Sequence, residues 1–262
     1  MTASPTRLID IVFPGDTNHH GTLFGGIGLA HMDKVAFIAA SRHALVDFVT
    51  ASCERIDFAA PAHLGEIVEL TGRVVRAGRR SLGVEVEMMA EALLTGERRR
   101  CSLGTFNMVA VNIGDGFTMP SCPEHEQPQE DALRMVEMVF PDQTSHYGSL
   151  YGGNALAAMA KAAFVAATRY SRQSMVLAGS RRTDFRSQVH NGELVELVPK
   201  VTATGRTSIM VEVALWAEDL RSGNRRRCGE GEYTLVAVDA EHRAVAISGP
   251  NGRSGLGWGV HG

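Results

Sequence analysis

The stretch HHGTLFGGIGLAHMDKVAFIAASRH, residues 19–43, places a carboxylate among apolar side chains. With about 100° of rotation per residue, a helix opening at the pair Gly25-Gly26 aligns Asp33 with Leu29, Ala36, Phe37 and Ala40 in one stripe. Asp33 is therefore expected to be largely desolvated. Burying an ionised carboxylate without a partner costs several kcal/mol. Such an acid is paired, held protonated, bonded to a backbone or hydroxyl group, or part of a reactive site.

Other reactive chemistries find little support. Cys53, Cys101, Cys122 and Cys228 show neither CxxC spacing nor a dense framework, so reduced thiols are expected and no metal site is. No glycine-rich dinucleotide fingerprint, phosphate loop or nucleophile elbow is present. A net charge of −3 supplies no basic field for nucleic acid. No stretch stays apolar for the roughly 18 residues of a membrane span, and the start MTASPTRLIDIVF does not read as a leader. A cytoplasmic protein without nucleic-acid or membrane partners is the expectation.

The elements that must position Asp33 occur twice. Phe13 aligns with Phe140, an offset of 127 residues (140 − 13), and the match runs without a gap to Val111 and Val238. Each copy is domain sized, so the repeat makes two folds and not a solenoid. The expected organisation is a first domain over 1–114, an exposed linker over 115–131, a second domain over 132–240 and a mobile tail over 241–262. Within each unit a short strand leads through a Gly-Gly turn into a helix, followed by long strands. Leu82, Val84, Val86 and Met88 alternate with Gly83, Glu85 and Glu87, the period of a strand with one buried face. The class is α+β. A helix apolar on most of its surface needs a sheet that curls around it.

The segments FPGDTNHHGTLFGGIGLAHMD, VTASCERIDFAAPAHLGE and GRRSLGVEVEM, with their counterparts in the second half, resemble the hotdog-fold acyl-CoA thioesterases. The resemblance is specifically to the group that includes the brain-type tandem hydrolase and its bacterial single-domain relatives. That resemblance implies two tandem hotdogs paired as a double hotdog, with active sites at the seam. It also implies hydrolysis of acyl-CoA without a cofactor beyond the coenzyme A of the substrate, and a homo-oligomer, with three double hotdogs as one form.

The resemblance assigns roles to Asn18, Gly25 and Asp33, the last as the catalytic acid. The second copy departs from the pattern, with Ser145 for Asn18 and Ala160 for Asp33, while Gly152 persists. If the family's cross-seam geometry holds, Asp33 works with the Gly152 N–H and Ser145, and the opposite site, Asn18 and Gly25 with Ala160, is catalytically dead. A helix N-terminus suits a thioester carbonyl gaining negative charge.

Arg98 and Arg225, in the repeated ERRRC and NRRRC, read as solvated strand-edge residues or as contacts to coenzyme A phosphates. Arg79 and Arg206, in the paired GRRS and GRTS turns, are similar candidates. His19 and His146 are expected to serve the turn before each helix, and His63 and His190 to lie on loop surface. Two rival readings remain. A hotdog hydratase would need a His five residues after Asp16, where Gly21 stands. A non-catalytic acyl-CoA sensor is suggested by the missing asparagine beside Asp33.

Overall fold

A computed structural model describes residues 5–54, 56–122 and 133–247. The first unit runs β1 (Thr6–Ile11), α1 (Gly25–Ala44), β2 (Asp47–Cys53), β3 (Asp57–Phe58), β4 (Ile67–Ala77), β5 (Ser81–Glu91) and β6 (Arg98–Val111). The second repeats it as β7 (Met135–Met138), α2 (Gly152–Ser171), β8 (Met175–Phe185), β9 (Leu194–Thr204), β10 (Ser208–Glu218) and β11 (Arg225–Ala237).

The strand orders are β1-β4-β5-β6-β2, with β3 also on β6, and β7-β9-β10-β11-β8. Every pairing is antiparallel. Bulges between Val74 and Arg76 and between Met88 and Met89 bend the first sheet around its helix. The alternation expected along β5 holds, with Leu82, Val84, Val86 and Met88 all buried. Helix and sheet approach closely where β4 carries Gly72: a Cβ there would lie 2.7 Å from Val35 Cγ1.

The two units share one interior. Ile9, Ile11 and Ile67 of the first pack into the core of the second. Ile38 of α1 is fully buried against Val136 and Leu194. The edge strands β1 and β7 approach one another, and Lys161 of α2 spans them with hydrogen bonds to Asp10 (2.9 Å) and Glu137 (2.8 Å). Burial alone would lower the Lys161 pKa, but the two carboxylates outweigh it and hold the ammonium charged far above its usual range.

The ends of both helices reach across the seam. Arg169 of α2 donates to Glu69 (2.9 Å) and Glu91 (2.7 Å), and Arg172 to Glu91 (2.7 Å). Reciprocally, Arg42 of α1 forks onto Glu218 at 2.9 and 2.6 Å.

Three expectations are corrected here. Arg98 is not on a free edge, since β6 lies between β5 and β2; it is exposed and joins this cluster, 3.2 Å from Glu69. Arg225 likewise pairs with Glu196 and lies over the Trp216 ring. The reason is the register, which sets each arginine beside carboxylates on neighbouring strands. The segments bordering the domains are also less free than their composition implied. Ile113, Phe117 and Met119 pack on the first core, and Val245 and Ile247 on the second. The rest of the expected linker, from 123, and of the expected tail, from 248, lies outside the described residues.

Candidate active site at the seam

Each helix is launched by the same device. A 3-10 turn, Pro14–Asp16 or Pro141–Gln143, is followed by a tight loop through Gly21 (φ 72°) or Gly148 (φ 70°), left-handed conformations that favour glycine. The chain then returns to the 3-10 turn: Phe24 N–H donates to the Asp16 carbonyl (2.8 Å) and Tyr151 N–H to that of Gln143 (3.0 Å). No side chain caps either helix, so the first-turn amides at the positive dipole end have no side-chain cap acceptor.

The Asn18 and Ser145 side chains brace these loops. Asn18 Oδ1 accepts from the N–H of His20 (2.9 Å) and of Thr22 (3.3 Å), while Ser145 Oγ accepts from Tyr147 N–H at 3.3 Å and lies 3.4 Å from Ser149 Oγ. His19 and His146 are exposed on the same loops, and His63 and His190 are exposed beyond them.

Asp33 is half-buried and not largely desolvated as its stripe suggested. The stripe changes character along α1: Leu29 is exposed, Phe37 is half-buried, and Ala36 and Ala40 are covered. Asp33 sits at that boundary, because the sheet wraps the C-terminal part of the helix more fully. Its Oδ1 accepts a 2.6 Å hydrogen bond from Thr50 Oγ on β2. Sequence reasoning missed Thr50. The available signal was the repeat itself, since residue 177, the counterpart of Thr50, is leucine just as residue 160, the counterpart of Asp33, is alanine. The second copy has neither the acid nor its hydroxyl partner.

Which helix N-terminus can Asp33 serve? Its own begins eight residues earlier, about 12 Å along the axis at 1.5 Å per residue, beyond direct reach. The neighbouring Lys34 lies 5.5 Å from the Phe140 ring, at the entry to the 3-10 turn that launches α2. Pseudo-symmetrically, Lys161, beside Ala160, touches Asp10 on the strand leading to α1. The turn of α1 that carries Lys34 thus lies near Phe140, at the entry to the 3-10 turn that precedes α2. Arg79 and Arg206 stand exposed at the β4–β5 and β9–β10 turns. Among the described residues, no cluster of His, Cys, Asp and Glu is arranged to hold a metal ion, and no helix is long and apolar enough to cross a membrane.

His31, two residues before Asp33, is half-buried, and its Nδ1 has no hydrogen-bond partner among the described residues. Burial lowers its pKa below 6.5; Asp10 and Asp16 oppose the shift, and Lys34 and Lys161 add to it. The unfolded chain therefore takes up this proton first as the pH drops. The stability His31 contributes is present above pH 6.5 and is lost as pH falls from there toward the lower folded value. Denaturation midpoints between about pH 8 and 5 are expected to decline less steeply in His31→Ala than in the unaltered chain. Equal slopes would contradict this account.

The thioesterase superfamily model matches residues 20–96 and 147–223. A crystal structure of an acyl-CoA hydrolase from Agrobacterium tumefaciens is 52% identical and covers 94% of this chain and 99% of its own, with a TM-score of 0.86. An uncharacterised acyl-CoA thioester hydrolase of Bacillus subtilis is 40% identical over 38% of this chain and 59% of its own. The human cytosolic acyl coenzyme A thioester hydrolase is 21% identical over 90% of this chain and 75% of its own.

Proposed function

This chain belongs to the thioesterase superfamily, and on that premise we propose that it hydrolyses acyl-CoA to a free carboxylic acid and coenzyme A at a site where Asp33 meets the start of α2. The Gly152 N–H polarises the thioester carbonyl and takes up its developing negative charge. Asp33 either deprotonates a water that attacks the carbonyl, or attacks it directly to form a mixed anhydride that water then hydrolyses to the free acid, restoring the carboxylate. Coenzyme A departs as the thiolate and is protonated. Thr50 orients the carboxylate, and Ser145 holds the loop that presents the Gly152 amide. The opposite site, with Asn18 and Gly25 facing Ala160, lacks the acid. The reaction needs no metal or cofactor beyond the substrate's coenzyme A.

The observation that carries this reading is that Asp33 accepts a hydrogen bond from Thr50, while the second copy has Ala160 and Leu177 at the two positions and so neither the acid nor its partner. The test is thiol release from short, medium, long and aromatic acyl-CoA substrates. Release from at least one class is expected. Hydration of an enoyl-CoA without thiol release would establish the hydratase instead, and tight binding without release the sensor.

Thr50→Val is expected to lower kcat about tenfold with KM nearly unchanged, since one hydrogen bond to a charged group is worth about 1.5–3 kcal/mol. Thr50→Ser restores the rate. A change confined to KM would show that Thr50 contacts substrate and does not position the acid.

The human relative's description as cytosolic supports a cytoplasmic location. The outer edges also point to a homo-oligomer: β2 and β8 end their sheets and expose Val49, Val176, Leu177 and Phe185, and open apolar edges invite pairing. Light scattering is expected to give three copies of the 28.2 kDa chain, whereas a monomer would refute this assembly.

A further inference from the structure

The two helix starts differ in what stands over them. A Cβ on Gly25 would lie 3.7 Å from Phe58 Cζ, so that ring borders the first residue of α1. Nothing lies within 4 Å of the same point on Gly152, and Gly152 is exposed where Gly25 is half-buried. Yet the second copy keeps the ring, since Phe185 stands at the 127-residue offset from Phe58 (185 − 58). Both rings hold the same register, Phe58 opposite Ser102 of β6 and Phe185 opposite Gly229 of β11. The phenylalanine is kept and its cross-strand neighbour is not.

Directly opposed residues of an antiparallel pair stand about 4.5–5.5 Å apart at Cβ, so the bulk of one decides where the ring of the other can lie. Ser102 is fully buried opposite Phe58, and its Oγ donates to the Asp57 carbonyl at 3.0 Å. Gly229 is also buried but offers no side chain. The Phe185 ring settles there instead: a Cβ on Gly229 would meet Phe185 Cδ1 at 3.0 Å and the Asp184 carbonyl at 2.9 Å. Glycine within a strand marks such close approaches, and a cross-strand aromatic ring covers the backbone that glycine bares. We propose that Gly229 is a positioning residue: by seating Phe185 against β11 it keeps that ring off Gly152 and leaves the start of α2 open to a thioester. Ser102 denies Phe58 the same seat, and the ring stays beside Gly25. The helix start freed in this way is the one assigned to Asp33. That the opening admits a thioester rests on the thioesterase reading, whereas the seating of the ring does not.

The experiment is a crystal structure of the full chain bearing Gly229→Ser, with steady-state kinetics on the acyl-CoA that the unaltered chain cleaves fastest. The Phe185 ring is expected to move to within about 4 Å of Gly152. KM is expected to rise about tenfold with kcat nearly unchanged, since displacing the ring costs bound substrate and transition state alike. Added to Phe185→Leu, the same serine should leave KM where Phe185→Leu alone puts it, which separates an effect through the ring from a general disturbance. Ser102→Gly is the reciprocal variant and carries the structural test by itself if Gly229→Ser does not fold: the Phe58 ring is expected to sink against β6 and away from Gly25. Rings that stay in place in the folded variants overturn the proposal. So do an unchanged KM in Gly229→Ser, a fall confined to kcat, and a rise in KM that persists without Phe185. Failure of the thioesterase reading shows separately, as ring movement in the crystals with no thiol release from any acyl-CoA.

Discussion

Asp33→Ala is expected to lower kcat for acyl-CoA hydrolysis about a thousandfold, within the range of a lost general base and at the lower bound for a lost nucleophile. Folding should survive, for two reasons. Alanine already stands at the equivalent position 160 of an otherwise matching helix. The substitution also removes a half-buried charge and leaves behind only the Thr50 hydroxyl, which is exposed to water. Steady-state kinetics with an unchanged melting temperature is the signature sought. Activity within about tenfold of the unaltered chain would mean that another group performs the chemistry, and the seam assignment would fail with it.

Arg169→Met is expected to destabilise the protein by about 3 kcal/mol, because it leaves the carboxylates of Glu69 and Glu91 buried with fewer partners. Burial by itself would raise the Glu69 pKa, but Arg169 and Arg98 reverse that and hold it below 4.5, so this carboxylate is charged at neutral pH. A chain of this size should lose roughly 6–12 °C in Tm for such a change. The double variant Arg169→Met with Glu91→Leu should recover part of the loss, since the orphaned charge is replaced by a packed side chain. A neutral single variant would show that the helix-end arginines do not hold the two units together. The consequence for function is direct: the proposed site exists only while the units keep their relative placement, so turnover should fall at the temperature where the seam opens.

Much of the molecule was readable before any coordinates. Gly25, Gly26 and their counterparts announce the turn and the helix; the alternation from Leu82 to Met88 announces a half-buried strand; and the 127-residue offset announces two copies. These signals are local, because they depend on backbone preference and on the period of one element, and each is written within a few consecutive residues. The repeat also made the loss of the second acid visible, since Ala160 aligns with Asp33 without a gap.

Other features depended on distance in space. Thr50 lies 17 residues from Asp33 and reaches it only because β2 pairs with β6 and not with the strand that follows it. Arg98 and Arg225 are exposed, but only the register showed that they pair with Glu69, Glu91 and Glu196. The degree to which Asp33 is covered depends on where the sheet stops wrapping α1, which no helical period encodes. The sequence by itself determined the elements, their duplication and the survival of a single acid, because propensity and pattern act along the chain. Only the tertiary structure decided which hydroxyl that acid meets and which charges are spent on the seam, because strand order and the packing of one unit on the other bring together residues with no fixed spacing in sequence.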